Sequence, residues 1–168
     1  MGRMQRRKRI DHLVEAIRIM ARPDVGLIVV GPDQEGILDG ISGKGIYKIG
    51  AVNGDEKYDL LAAADVYCLP GAVELSIVDA FHCGLPFVTE VGEESAEIMY
   101  LKHGIDGFVV RRGDTHELAQ KFQLLLDDHD LRRRFSAAAR MEIAQSGHID
   151  RLCEGFLSAI RYVDRKAR

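Results

Sequence analysis

Short, wholly apolar runs bounded by glycine or proline constrain the fold of this chain more than any other feature of its sequence. One of them, residues 26–31, reads Gly-Leu-Ile-Val-Val-Gly. A run this short that is apolar on both faces is typical of a parallel strand covered by helices on its two sides. On this pattern five segments are predicted to be strands: residues 26–31, 46–52, 66–69, 84–89 and 108–110.

Helical patterns separate these strands. In residues 8–21, apolar side chains recur at the spacing of one helix face, and Pro23 closes the segment. Further helices are predicted at residues 55–64, 75–83 and 94–101. Strands that alternate with helices at this spacing predict a Rossmann-like α/β fold, in which helices cover both faces of one parallel sheet.

The C-terminal part of the sequence is predicted to be helical. Asp114 and Glu117 form a capping box at the start of one helix. A second helix is predicted at residues 130–145, and a third carries an apolar stripe along residues 149–163. Because no linker or repeat interrupts residues 1–168, we expect a single domain.

The beginning of the chain departs from this pattern. It opens on a loop and a helix, whereas a doubly wound sheet normally opens on a strand. We therefore expect that a first strand is missing and that Met1 is a start within a longer protein.

Charge, cysteine content and hydropathy exclude several classes of function. The net charge is −3 and the arginine-rich N-terminus lacks interleaved aromatic side chains, so we expect no nucleic-acid partner. The three cysteines lie far apart, without metal-ligand spacing, and are predicted to be buried free thiols. The chain has neither a signal peptide nor an apolar run of about 20 residues, so we expect a cytoplasmic protein, with the cytoplasmic face of a membrane as an alternative location.

The ligand site is expected beyond the carboxyl ends of the strands, as in other open parallel sheets. The loops there contain neither G-x-G-x-x-G nor G-x-x-x-x-G-K-[ST], which excludes the usual dinucleotide and P-loop motifs. Instead, Gly71 begins a bend that enters a helix at about Leu75 and Ser76. Free amides in this bend would hold a diphosphate beside the positive end of the helix dipole.

Charged residues near this bend suit the same ligand. Arg3 and Lys8 lie on the first loop, at the same edge of the predicted sheet, and would neutralise phosphate charge. Asp79 lies one turn into the helix, where its carboxylate would accept hydrogen bonds from ribose hydroxyls. By themselves these features are also compatible with a purely structural βα turn.

Six motifs then occur in a fixed order along nearly the whole chain: Gly2-Arg3-Met4 with Lys8, Val29-Val30-Gly31-Pro32-Asp33, Ile49-Gly50-Ala51-Val52, Ala64-Asp65-Val66-Tyr67-Cys68-Leu69-Pro70, residues 79–88 and residues 97–110. In this order they resemble the C-terminal, donor-binding domain of family 4 retaining glycosyltransferases, one half of a GT-B fold. The resemblance implies a UDP-, GDP- or ADP-linked sugar as donor, with no metal and no other cofactor. It implies retaining transfer to a glycan or lipid-linked acceptor, as in polysaccharide biosynthesis.

The resemblance also implies roles for individual residues. Arg3 and Lys8 would contact the donor diphosphate, and Asp79, in the place of a glutamate, would hold the ribose. The acceptor would bind to an N-terminal domain that this chain lacks, so the chain alone is expected to be inactive. In this family the last helix commonly packs against that domain, so the stripe at residues 149–163 is either core or a face for self-association. The alternative function is a non-catalytic module that binds a nucleotide sugar or a protein partner.

Glu74 departs most from the family pattern and has two interpretations. If it points inward, its carboxylate repels the donor phosphates. If it points outward, it reaches the hydroxyls of the transferred sugar and acts in catalysis. We favour the second from the sequence, because Leu75 and Ser76 can still offer backbone amides to phosphate.

Overall fold

The computed structural model describes residues 1–92, 95–147 and 149–167, and in these residues the predicted alternation of strands and helices is confirmed. The strands are β1 (Leu27–Val30), β2 (Ile46–Ile49), β3 (Tyr67–Cys68), β4 (Phe87–Glu90) and β5 (Gly107–Val110). The helices are α1 (Ile10–Met20), α2 (Asp55–Ala62), α3 (Ser76–His82), α4 (Thr115–Asp127), α5 (His129–Ser146) and α6 (Ile149–Ala167). Short 3-10 helices lie at Arg6–Lys8 and Ala96–Tyr100. The second of these replaces the helix predicted at residues 94–101, of which residue 94 lies outside the described residues.

The strands form two parallel sheets and not the single sheet predicted. β1 pairs with β2, and β3, β4 and β5 pair in that order. A cavity of about 320 Å³ lies between the two sheets and is lined by residues of both β1 and β3. The hydrogen-bonded partners of a strand are distant in sequence, which is why the apolar runs alone could not indicate this division.

Helices pack against one another and against the strands around a common core. α1 packs on α4, and α3 packs on α5. Phe87 of β4 is fully buried, stacks on Tyr67 with ring centroids 5.2 Å apart, and meets the edge of Phe81 at 6.5 Å. The apolar spacing in α1 buries Ile10 and Val14, as expected from its periodicity.

The cap of α4 is only partly the predicted one. Asp114 accepts a hydrogen bond from the Glu117 amide at 2.8 Å, which is the N-cap half of a capping box. Glu117, however, accepts from the Arg111 amide at 3.0 Å and not from the amide of its cap residue.

The last helix is exposed along its length. The apolar side chains of its predicted stripe, among them Ile149, Phe156 and Ile160, are all more than half exposed, so the stripe is not part of the core. Cys153 on the same helix is exposed, which corrects the prediction of three buried cysteines, whereas Cys68 and Cys83 are partly buried. Burial raises the pKa of the Cys68 thiol. Among the described residues, no helix is both long and apolar enough to cross a bilayer.

Candidate functional site

The N-terminal loop, residues 1–9, crosses the carboxyl ends of β1 and β3. The Gly2 amide donates to the carbonyl of Val30 at 2.8 Å, at the end of β1. On the other side, the amide of Gly71 donates to the Lys8 carbonyl at 3.1 Å, and that of Ala72 donates to the Arg7 carbonyl at 3.1 Å. The loop therefore joins the two sheets at the edge where the sequence predicts the ligand site.

Gly71 is required by this close approach. A Cβ built on it would lie 1.8 Å from the Arg7 carbonyl oxygen and 2.9 Å from Lys8 Cα. The expectation that its amide is free for phosphate is wrong, because that amide already donates to Lys8. Leu75, which is 67% exposed, and Ser76 at the first position of α3 stay candidates for phosphate contact.

Lys8 lies beneath the loop with its charge directed to Glu74. The residue is 4% exposed, and its Nζ lies 2.9 Å from Glu74 Oε2. The Arg7 guanidinium donates to the other oxygen of the same carboxylate. Gly2, with a φ of 125°, lies against the ammonium group, since a Cβ at this position would come within 2.9 Å of Nζ.

Glu74 thus directs its carboxylate inward, to Lys8 and Arg7, and the sugar-facing role favoured from the sequence stays a prediction. Its φ of 50° is in the left-handed region, which costs a residue other than glycine about 1 kcal/mol. Burial acts to raise its pKa, but hydrogen bonds from Lys8 and Arg7 outweigh it and lower the pKa below the usual value. The carboxylate therefore stays ionised as the counter-ion of two cations, and its role toward a donor remains a prediction.

The two other predicted residues are Asp79, on α3, and Arg3, on the N-terminal loop. Asp79 is in the first turn of α3, and its Oδ1 accepts a hydrogen bond from Lys57 Nζ of α2 at 2.8 Å. This pairing with Asp79 raises the pKa of Lys57. Arg3 is exposed on the N-terminal loop. The structure thus brings Lys8, Glu74 and Gly71 together and pairs Asp79 with a lysine that sequence reasoning did not single out.

A buried carboxylate at the end of β4 was also missed. The side chain of Glu90 is 0% exposed and lies 3.0 Å from Arg9 Nη1 and 2.7 Å from His12 Nδ1. It also accepts a hydrogen bond from the Gly113 amide at 2.8 Å. An acidic residue directly after a buried apolar strand was the signal available in the sequence. Glu90 therefore connects the N-terminal loop, through Arg9, and α1, through His12, to the turn before α4, through Gly113.

Two lysine–carboxylate pairs lie near the carboxyl ends of the strands, Lys8 with Glu74 and Lys57 with Asp79. Phosphate oxygens accept the same charge-assisted hydrogen bonds as carboxylate oxygens, so an anion can replace Glu74 at Lys8, or Asp79 at Lys57. Within residues 1–92, 95–147 and 149–167, no group of three or more histidine, cysteine, aspartate or glutamate side chains is arranged to hold a metal ion.

Solved structures of glycosyltransferases share this architecture. HepE of Anabaena, in complex with UDP, superposes with a TM-score of 0.79 at 20% identity, over 96% of this chain and 48% of HepE. The C-terminal domain of LpcC, a group 1 family glycosyl transferase of Francisella tularensis, gives a TM-score of 0.76 at 18% identity, over 89% of this chain and 84% of that domain. The fold of this chain is that of one domain of a GT-B glycosyltransferase.

Sequence comparison identifies the family. Residues 1–128 match the family described as glycosyl transferases group 1, and the chain belongs to this family. It is 28% identical over 145 residues to the sulfoquinovosyl transferase SQD2 of Arabidopsis thaliana. That match covers 84% of this chain but 28% of SQD2, so the chain spans well under half the length of this relative.

Proposed function

We propose that this chain is the donor-binding domain of a retaining glycosyltransferase and that its N-terminal loop holds the diphosphate of a nucleotide sugar. The observation that carries the proposal is the buried ammonium of Lys8, held beside Gly71 at the carboxyl edge of the strands. A lysine that is only 4% exposed almost always has an anionic partner, because burying an unpaired charge is costly. In this structure that partner is the partly exposed carboxylate of Glu74.

The relatives support the class of donor. HepE has been crystallised with UDP and with UDP-glucose. Of the UDP-, GDP- and ADP-linked sugars considered from the sequence, a UDP-sugar is therefore our first choice for this chain. Asp79 would hold the ribose after exchanging its partner Lys57 for ribose hydroxyls.

In the proposed reaction, the bond between the sugar C1 and the diphosphate oxygen breaks while the acceptor hydroxyl bonds to C1 on the same face. The negative charge of the leaving group would be stabilised by Lys8 and Arg3 and by the positive end of α3, without a metal ion. The proton of the acceptor hydroxyl would pass to a phosphate oxygen of the leaving group. The acceptor, a glycan or lipid-linked molecule in polysaccharide biosynthesis, would bind to the other domain of a GT-B enzyme.

The proposal also states what this chain would do by itself. The chain alone would bind the donor in the cytoplasm, or at the cytoplasmic face of a membrane, and transfer no sugar. The exposed apolar stripe of α6 would mediate self-association when no second domain covers it.

Calorimetry on a matched pair of lysine variants tests the donor site. Lys8→Met keeps the length of the side chain but removes the charge, and should weaken UDP binding about ten- to hundredfold while changing uridine binding little. Lys44→Met, at an exposed lysine before the start of β2 and thus at the opposite edge of the sheet, should leave UDP binding unchanged. Equal losses for UDP and uridine, in a variant that melts normally, would show that Lys8 does not face the phosphates.

A further inference from the structure

Glu90, at the end of β4, contacts both sides of the junction where Lys8 meets Gly71. Its backbone amide donates to the carbonyl of Pro70 at 3.1 Å, one residue before Gly71. Its carboxylate lies 3.0 Å from the guanidinium of Arg9, one residue after Lys8. Because the Gly71 amide donates to the Lys8 carbonyl at 3.1 Å, these contacts and the chain itself form a closed ring around the junction.

Arg9 adopts a backbone conformation that needs such support. Its φ of 52° and ψ of 48° lie in the left-handed region, which is unfavourable for a residue with a Cβ. Arg9 is both the C-cap of the 3-10 helix Arg6–Lys8 and the N-cap of α1. The bend at Arg9 therefore sets the direction of the backbone at Lys8 relative to α1, and the ion pair with Glu90 stabilises this bend.

The carboxylate of Glu90 is itself fixed by its surroundings. Besides Arg9, it contacts His12 Nδ1 at 2.7 Å and accepts from the Gly113 amide at 2.8 Å. Hydrogen bonds to a charged group are stronger inside a protein than in water, so these contacts hold the carboxylate in one place. The side chain is fully buried, so Glu90 does not contact a ligand and can act on the donor site only through its neighbours.

The ammonium group of Lys8 depends on this support, because its place follows from the backbone that carries it. The side chain of Lys8 is buried and runs from the loop to Glu74. If the bend at Arg9 relaxed, the ammonium group would lose its fixed position at the carboxyl edge of the strands. A side chain that is already fixed loses less conformational freedom when a ligand binds, which raises affinity.

We propose that Glu90 is a positioning residue of the donor site, which holds Lys8 in place for the diphosphate through Arg9 and Pro70. This inference rests on the proposed function, because it needs the diphosphate to bind at Lys8. Charge alone predicts the opposite effect, since a carboxylate near the loop repels phosphate and its removal should tighten UDP binding. Weaker binding after its removal therefore identifies positioning as the role of Glu90.

Calorimetry with UDP and uridine on Glu90→Gln tests the proposal. We expect UDP to bind about tenfold more weakly and uridine to bind as it does to the wild type, since uridine has no diphosphate for Lys8. Glu90→Asp keeps the charge but withdraws it from Arg9 by one methylene, and should weaken UDP binding in the same direction. The control is Glu142→Gln on α5, which removes a buried carboxylate paired with Lys102 and should leave UDP binding unchanged.

A double-mutant cycle with Lys8→Met shows whether Glu90 acts through Lys8. In the Lys8→Met background, Glu90→Gln should change the dissociation constant for UDP by less than about twofold, because the group that it positions is gone. Three results would overturn the inference and leave the proposed function standing: equal losses in both backgrounds, equal losses for UDP and uridine, or UDP binding that Glu90→Gln leaves unchanged or tightens. A wild-type chain that binds no UDP would refute the proposed function and this inference with it.

Discussion

Replacing Glu74 by glutamine should tighten the binding of UDP. The carboxylate now occupies the position next to Lys8 that a donor phosphate needs, 2.9 Å from Nζ. Glutamine keeps the size of the side chain and one hydrogen-bond acceptor but removes the negative charge. A phosphate would then pair with Lys8 and Arg7 without displacing a charged competitor.

The size of the effect follows from Coulomb's law. If the carboxylate and a phosphate stood about 6 Å apart, they would repel by about 3 kcal/mol at an effective dielectric constant near 20. The Glu74 side chain is 35% exposed, and screening by solvent should reduce this to about 1 kcal/mol. The dissociation constant for UDP should therefore fall about fivefold. The free energy of unfolding of Glu74→Gln, measured without UDP, should be about 1 kcal/mol lower than that of the wild type, since Lys8 loses its charged partner.

Isothermal calorimetry with UDP and uridine at two salt concentrations measures this change. The gain should be seen for UDP and not for uridine, and it should shrink as salt rises. Glu35→Gln, which removes an exposed carboxylate from the neighbouring loop, is the control for a change in net charge alone. Weaker UDP binding by Glu74→Gln would refute the reasoning and mean that the carboxylate orients the cations for the ligand.

Other substitutions test the packing around the site. Gly71→Ala should lower the free energy of unfolding by more than about 2 kcal/mol, because the added Cβ would lie 1.8 Å from a backbone oxygen. The control is Gly155→Ala on α6, where an added Cβ meets nothing within 4 Å. It should be neutral or slightly stabilising in thermal melts. Glu90→Gln should cost about 2–4 kcal/mol in urea unfolding, since it removes the buried charge that pairs with the Arg9 guanidinium. Burial raises the pKa of Asp106 from 3.8 to about 6, so its contribution to stability is present below pH 3.8 and lost as the pH rises through 6. The free energy of unfolding of Asp106→Asn should therefore exceed that of the wild type by about 1–3 kcal/mol at pH 7.5, with no such difference at pH 4. An equal increase in the free energy of unfolding at both pH values would exclude titration as its cause.

The order and type of the elements could be predicted because they depend on local pattern. The run at residues 26–31 is apolar on both faces, and the structure makes it a strand at Leu27–Val30. Likewise, the helical spacing at residues 8–21 produced the helix Ile10–Met20. Gly71 was singled out correctly as a special position, but for the wrong reason, since its lack of a Cβ serves backbone packing.

What could not be predicted depends on contacts between distant residues. The inward orientation of Glu74 results from its left-handed backbone and from two cations more than sixty positions earlier in the chain. The exposure of α6 has the same origin. A stripe at helical spacing indicates that a helix has an apolar face, but the sequence of that helix does not state whether this chain supplies a surface to cover it.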